Sequence, residues 1–258
     1  MNYNYHAHTT RCSHASGTPE EYILRAIENG VKYMGFSEHA PYVCPTGQES
    51  SYRVPMADAK DYIADIAALR EKYKDQIELK IGFEMEYYPQ EFEKMLATVV
   101  SYGAEYLILG EHFTRPEYPD GVHVGKKTED VELLKEYVMN VIEAMETDVF
   151  TYVAHPDVIE FIGDTDIYET EMRKICEASK RTGIPLEINF LGIRTNRNYP
   201  DERFWRIAGE VKSPVTFGFD AHSAVDAYDG ASFVKAQEMV KTYGLNYVGM
   251  PKVKELRK

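Results

Sequence analysis

Seven short apolar, β-branched or aromatic runs alternate with seven longer amphipathic segments along this chain of 258 residues, and no other feature limits the fold as much. The strand candidates are "YNYH" (3–6), "KYMGFS" (32–37), "ELKIGFE" (78–84), "EYLILG" (105–110), "VFTYVA" (149–154), "PLEINF" (185–190) and "PVTFGF" (214–219). The helix candidates are 19–30, 57–74, 89–102, 128–146, 168–182, 201–212 and 230–243. Start and stop signals support them. Thr18 precedes Pro19 and two glutamates, and Gly30 follows; Thr128 opens the fourth segment; Gly183 and Pro185 close the fifth. Strand starts stand far enough apart for βαβ units of about 30 residues or more. Alternation of this kind predicts an α/β chain with a parallel sheet and helices outside it. Seven units, one short of eight, predict a distorted (β/α)7 TIM-like barrel formed by residues 1–258 as one domain, with an open doubly wound sheet as the alternative. "NYVGM" (246–250) is a candidate eighth, unpartnered strand.

The polar residues then fall in a pattern. The first strand ends in "HAH" (His6, His8), the second in "SEH" (His39), the third in "GFEME" (Glu84) and the fourth in "GEH" (His112). The fifth ends in "AHP" (His155) and the seventh in "FDAH" (Asp220, His222). The C-terminal ends of parallel barrel strands form one face, so these side chains are expected to converge there. A lone histidine beside a strand is usually a satisfied polar residue, but six of the chain's eight histidines at five strand ends are a poor fit to chance. His-x-His on extended chain puts both rings on one face, and Asp220 and His222 repeat that spacing. His14 follows in the loop after the first strand. The nine candidates exceed one zinc site and suffice for two or three divalent metals with a bridging carboxylate. Imidazole and carboxylate donors suit catalytic zinc, with manganese or iron as alternatives. Glu86 shares a strand face with Glu84 and reads as a ligand or its support. Cys12 reads as a small loop residue before a ligand, and His123, in "YPDGVHVGKK", as a surface residue or a substrate contact.

Charge and composition narrow the partners. A net charge of −13 and no long basic run argue against nucleic acid, though bound cations would make one pocket positive for a small phosphorylated substrate. Three cysteines without a CxxC pair argue against a disulfide framework. Neither a leader-like N-terminus nor an apolar run of about 20 residues is present, which predicts a cytoplasmic chain without membrane partners. The oligomeric state is open.

"HAH" at 6–8, "SEH" at 37–39, Glu84, "EH" at 111–112, "AHP" at 154–156 and "DAH" at 220–222 resemble, in order and over nearly the whole chain, the motifs of the PHP (polymerase and histidinol phosphatase) family. "YHAHTTRCSHASGT" and "FSEHAPY" are most similar to its stand-alone histidinol-phosphatase branch. The resemblance implies a distorted (β/α)7 barrel and a trinuclear metal centre. Carried over by position, it implies His6, His8, Glu84 and Asp220 on one metal. Glu84, His112 and His155 would hold a second, and His14, His39 and His222 a third. Many members carry Asp where this chain has His14.

The activity so implied is metal-dependent hydrolysis of a phosphomonoester, with L-histidinol phosphate as the expected substrate. Asp220 is the candidate proton donor to the leaving alkoxide. Arg194 and Arg197, in "LGIRTNRNYP" after the sixth strand, are candidate phosphate forks, Arg197 the better placed. Glu117 is a candidate partner for the substrate's ammonium or imidazole. Another PHP phosphoesterase (a phosphotyrosine phosphatase or nuclease), an amidohydrolase-type metal barrel and a non-catalytic metal-binding protein remain as alternatives.

Overall fold

A computed structural model describes residues 1–256. Eight parallel strands run in sequence order around one curled sheet: β1 (Tyr3–Asn4), β2 (Tyr33–His39), β3 (Glu78–Met85), β4 (Tyr106–Leu109), β5 (Phe150–Val153), β6 (Leu186–Asn189), β7 (Pro214–Gly218) and β8 (Asn246–Tyr247). The intervening helices are α1 (Pro19–Glu28), α2 (Ala59–Tyr73), α3 (Phe92–Tyr102), α4 (Val131–Glu146), α5 (Thr165–Thr182), α6 (Phe190–Thr195), α7 (Glu202–Val211) and α8 (Gly230–Thr242).

The curl closes at its upper end between the first and seventh strands. Beyond β1 the chain stays extended, and Ala7 bridges Ala221 beyond β7: His8 N donates to Ala221 O at 2.9 Å and Ala221 N to His6 O at 3.1 Å. The seven-stranded barrel expected from the alternation is therefore present at the end that carries the polar residues. At the lower end residues 246–247 pair with β7 (Pro214 with Asn246, Val215 with Tyr247), so this segment is a partnered strand, not a free one.

Local chemistry explains most boundaries. Thr18 makes a capping box, its hydroxyl accepting from Glu21 N while Glu21 Oε2 accepts from Thr18 N. The fourth helix starts at Val131 because Asp130, not Thr128, caps it, accepting from Glu132 N and Leu133 N. The fifth starts earlier than expected, with Asp164 as its cap. The short α6 was not foreseen: Phe190 ends the apolar run read as the sixth strand and begins this helix, capped by the Asn189 side chain.

Inside the barrel Tyr3, Tyr5, Tyr106, Ile108, Tyr152 and Ala154 form a small cluster, with Val253 of the C-terminal segment packed against it. Two glycines make room for it: a Cβ at Gly35 would stand 2.1 Å from the Tyr106 hydroxyl, and one at Gly82 would stand 2.4 Å from the Tyr106 carbonyl oxygen. The larger apolar cluster lies between sheet and helices. This aromatic floor fills the barrel from below and leaves the upper face to polar side chains. Among the described residues no helix is long and apolar enough to cross a membrane.

Candidate metal centre

All nine expected donors meet at the upper face. His6 and His8 alternate inward around the bridging Ala7 and are fully buried. Glu84, at the top of β3, is the hub. Its Oε2 lies 3.4 Å from His6 Nε2, 3.4 Å from His8 Nε2 and 3.2 Å from His39 Nδ1. Its Oε1 lies 2.8 Å from His155 Nε2 and 3.7 Å from His112 Nε2. The end of the neighbouring strand β4 yields to it: a Cβ at Gly110 would fall 2.0 Å from Glu84 Oε1. Asp220 Oδ1 stands 3.6 Å from His6 Nε2, 3.4 Å from His8 Nε2 and 3.1 Å from His222 Nδ1. At the mouth, His14 Nε2 and His222 Nε2 face each other at 3.0 Å.

These spacings discriminate between a hydrogen-bonded cluster and an ion site. Among the described residues His6 Nε2, His8 Nε2, His39 Nδ1, Glu84 Oε2 and Asp220 Oδ1 are buried without a hydrogen-bond partner, a costly set if nothing joins them. Donor atoms on tetrahedral zinc, with bonds of about 2.0–2.1 Å, stand about 3.3 Å apart. Most of the separations here have that size. The groups whose donor atoms fall together are His6, His8 and Glu84; His6, His155 and Asp220; His39, Glu84 and His112; and His14, His39 and His222. His155 thus lies beside His6 and Asp220 as well as against Glu84. Cys12 Sγ also falls near His8 and His222, but it donates to Thr9 O at 3.1 Å, and burial pushes the thiol up to about 12.

A second layer orients the rings. Glu187 Oε1 sits 2.8 Å from His6 Nδ1, Glu38 Oε1 3.2 Å from His8 Nδ1, and Glu86 Oε1 3.1 Å from His112 Nδ1. A carboxylate on Nδ1 fixes the tautomer that leaves Nε2 free for a cation. Glu187 also accepts from His155 N and Asn189 Nδ2, and Asn189 passes the link on to Asp220 Oδ2. Burial alone would raise the Glu84 carboxyl, but His6, His112, His39 and His155 hold it well below the usual carboxylate range. Asp220 is likewise held low against burial, by His6, His222 and His8.

The donors open into a cavity of about 590 Å³ lined also by Tyr52, Phe113, His123, Leu191, Arg197 and Tyr199. Burial, then the neighbouring His112 and His155, bring His123 down to about 4, so it presents a neutral ring. Arg197 donates from its NH1 to the Tyr199 hydroxyl at 3.2 Å.

Two expected roles need correction. Arg194 does not reach the cavity. It lies in the last turn of α6 with its guanidinium on the Phe219 and Asp220 carbonyls and beside Asp226 and Asp229. There it braces the turn in which Asp220 adopts a left-handed conformation (φ 47°). Glu117 is buried under the loop before α2, accepting from Arg53 Nε, Ser50 and Tyr52, and so is not free for a substrate ammonium. Conversely, Glu38 and Glu187, which back His8 and His6, belong to no set of expected ligands. An acid inside the apolar run "PLEINF" was the available signal, since a buried carboxylate requires a partner.

The PHP domain family matches residues 4–190, and the chain belongs to that family. Among curated relatives it is similar to a probable histidinol-phosphatase of Deinococcus radiodurans, 25% identical with 93% of this chain and 92% of the relative covered. It is also 25% identical to a histidinol-phosphatase of Bacillus subtilis, with 86% of this chain and 93% of the relative covered. Its fold is shared with a histidinol phosphate phosphatase of Lactococcus lactis subsp. lactis solved with zinc, L-histidinol and phosphate: TM-score 0.71, 21% identity, covering 100% of this chain and 99% of the other.

Proposed function

We propose that this chain is a histidinol-phosphatase, a phosphomonoesterase that hydrolyses L-histidinol phosphate to L-histidinol and phosphate in the cytoplasm, as one domain over residues 1–258. The observation that carries this reading is the set of orphaned, buried donors around Glu84, open to a cavity that also holds Arg197. Two or three zinc ions would be held by His6, His8, His14, His39, Glu84, His112, His155, Asp220 and His222. Bound divalent metals supply an activated water at neutral pH and neutralise the phosphate's charge.

The chain's own residues do the rest. Glu84 and Asp220 provide the anionic donors, one of them shared between sites. Glu187, Glu38 and Glu86 hold three imidazoles in the binding tautomer. Arg197 grips the phosphate, and Tyr199 orients that guanidinium. Tyr52, Phe113 and the neutral His123 offer flat surfaces to the leaving group. The relatives' names support the choice of substrate, and the net charge of −13 disfavours a nuclease.

Phosphate release from L-histidinol phosphate, phosphotyrosine and a generic aryl phosphate, with zinc quantified in the same samples, tests the reading. L-histidinol phosphate is expected to lead in kcat/KM by roughly 10-fold or more. A lead for phosphotyrosine would overturn the substrate assignment while leaving the chemistry.

Glu187→Gln checks the supporting layer. It removes the charge behind His6 Nδ1, and loss of such a partner costs roughly 10- to 100-fold in metal affinity. Zinc titration against a competing chelator should show one weakened class of site. Unchanged affinity would mean that Glu187 only fills space.

A further inference from the structure

Arg53 lies in the loop between β2 and α2, and it is among the largest fully buried side chains, 1% exposed. Burial of a guanidinium requires partners on every side, and it has them. Nε donates to Glu117 Oε1 at 2.6 Å, NH2 pairs with Glu86 Oε2 at 2.6 Å and donates to the Tyr88 hydroxyl at 3.2 Å, and NH1 donates to Ala40 O at 3.2 Å. The rings of Tyr42 and Tyr52 lie 5.7 and 5.1 Å from its centre. Two of these contacts lead to the candidate metal centre. Glu86 turns its other oxygen to His112 Nδ1 at 3.1 Å, and Ala40 directly follows His39. A third, through Glu117, reaches Tyr52, whose hydroxyl donates to that carboxylate and whose ring lines the cavity.

We propose that Arg53 is a positioning residue for the metal centre: it holds Glu86 against His112 and anchors the end of β2 behind His39. This rests on the metal reading above. A buried carboxylate stripped of its cation is strongly disfavoured, so without Arg53 the Glu86 side chain turns away. That movement releases His112 Nδ1 and lets the ring present the wrong nitrogen to Glu84. A planar fork serves Glu86 and Glu117 at once; a lysine ammonium, a point charge, does not reproduce that geometry.

The test is zinc binding to the metal-stripped full-length protein, measured by competition with a chromophoric chelator, with thermal melts alongside. Arg53→Lys is expected to weaken one class of zinc site by roughly 10- to 100-fold and to spare the others. Glu86→Gln should do the same. The double variant should be no weaker than the worse single one, because both act along one path. Adding Glu117→Gln to Arg53→Lys frees the lysine for Glu86 and should recover part of the affinity; it also relieves the charge imbalance where Arg53→Lys alone folds poorly. Lowered melting with wild-type zinc affinity would reduce Arg53 to a structural role and overturn the inference. So would multiplied losses in the Arg53/Glu86 double variant. A wild-type chain that takes up no zinc overturns the metal reading and this inference together; zinc uptake that is identical in wild type and Arg53→Lys overturns the inference alone.

Discussion

Glu84→Ala is expected to abolish phosphatase activity and to take bound metal from about three ions per chain to about one. The reason is its central place. One oxygen faces His6, His8 and His39, and the other faces His155 and His112. Without that carboxylate the five imidazoles around it keep only Asp220 as an anionic donor among the nine candidates. Neutral donors alone bind a divalent cation less tightly and share no bridge. Loss of several kcal/mol of charge stabilisation lowers the rate by roughly a thousandfold or more. Glu86→Ala is expected to do less. It touches His112 through Nδ1 and Arg53 through its other oxygen, and so acts on one site from behind. Elemental analysis and phosphate release on the two variants, loaded identically, separate these roles. A more damaging Glu86→Ala would show that the hub has been placed one turn of the strand pleat too early. Gly110→Ala offers an independent check, because its methyl would displace the same Glu84 oxygen without removing it.

What was legible in advance follows physical range. Period-two alternation on extended chain is local, so His6 with His8, and Asp220 with His222, were readable as pairs that share a face. The rule that parallel strands deliver their C-terminal ends to one side brought donors from four further positions, His39, Glu84, His112 and His155, to the same face. Pairings between distant buried charges have no such local signature. Nothing in "SYRVP" announces that Arg53 meets Glu117 across 64 positions, so Glu117 read as a free acid in a loop. The same holds for Glu187 beneath His6. Arg194 was misjudged for a different reason. An aromatic and a leucine after "LEIN" extend an apolar run, and the Asn189 side chain that turns it into a helix acts only once β6 is in place. The strain at Asp220, which Arg194 braces, is likewise a product of the assembled turn.

That helix also explains why two arginines three positions apart end up with different work, and Arg197 is where the second large effect is expected. Arg194 sits in the last turn of α6 and points to the backbone carbonyls just beyond β7. Asn196 then adopts a left-handed conformation (φ 51°) that ends the helix, and the following residue is turned into the cavity. Among the described residues Arg197 meets no carboxylate there; its hydrogen-bonded side-chain partner is the Tyr199 hydroxyl. In a chain of net charge −13, a guanidinium left without an acid beside a cluster of metal donors is suited to an anionic ligand. Arg197→Ala is expected to raise KM for L-histidinol phosphate and to lower kcat. A charge-assisted contact of about 1.5–3 kcal/mol corresponds to roughly 10- to 150-fold in kcat/KM. Zinc content should stay at the wild-type level, because arginine is no ligand, and this distinguishes it from every substitution among the nine donors. Arg197→Lys should recover part of the loss, since charge returns without the planar fork. Steady-state kinetics with zinc measured on the same preparations decides the matter. Wild-type kcat/KM in Arg197→Ala would leave the phosphate to the metal centre alone and make the Arg197–Tyr199 contact a feature of the wall.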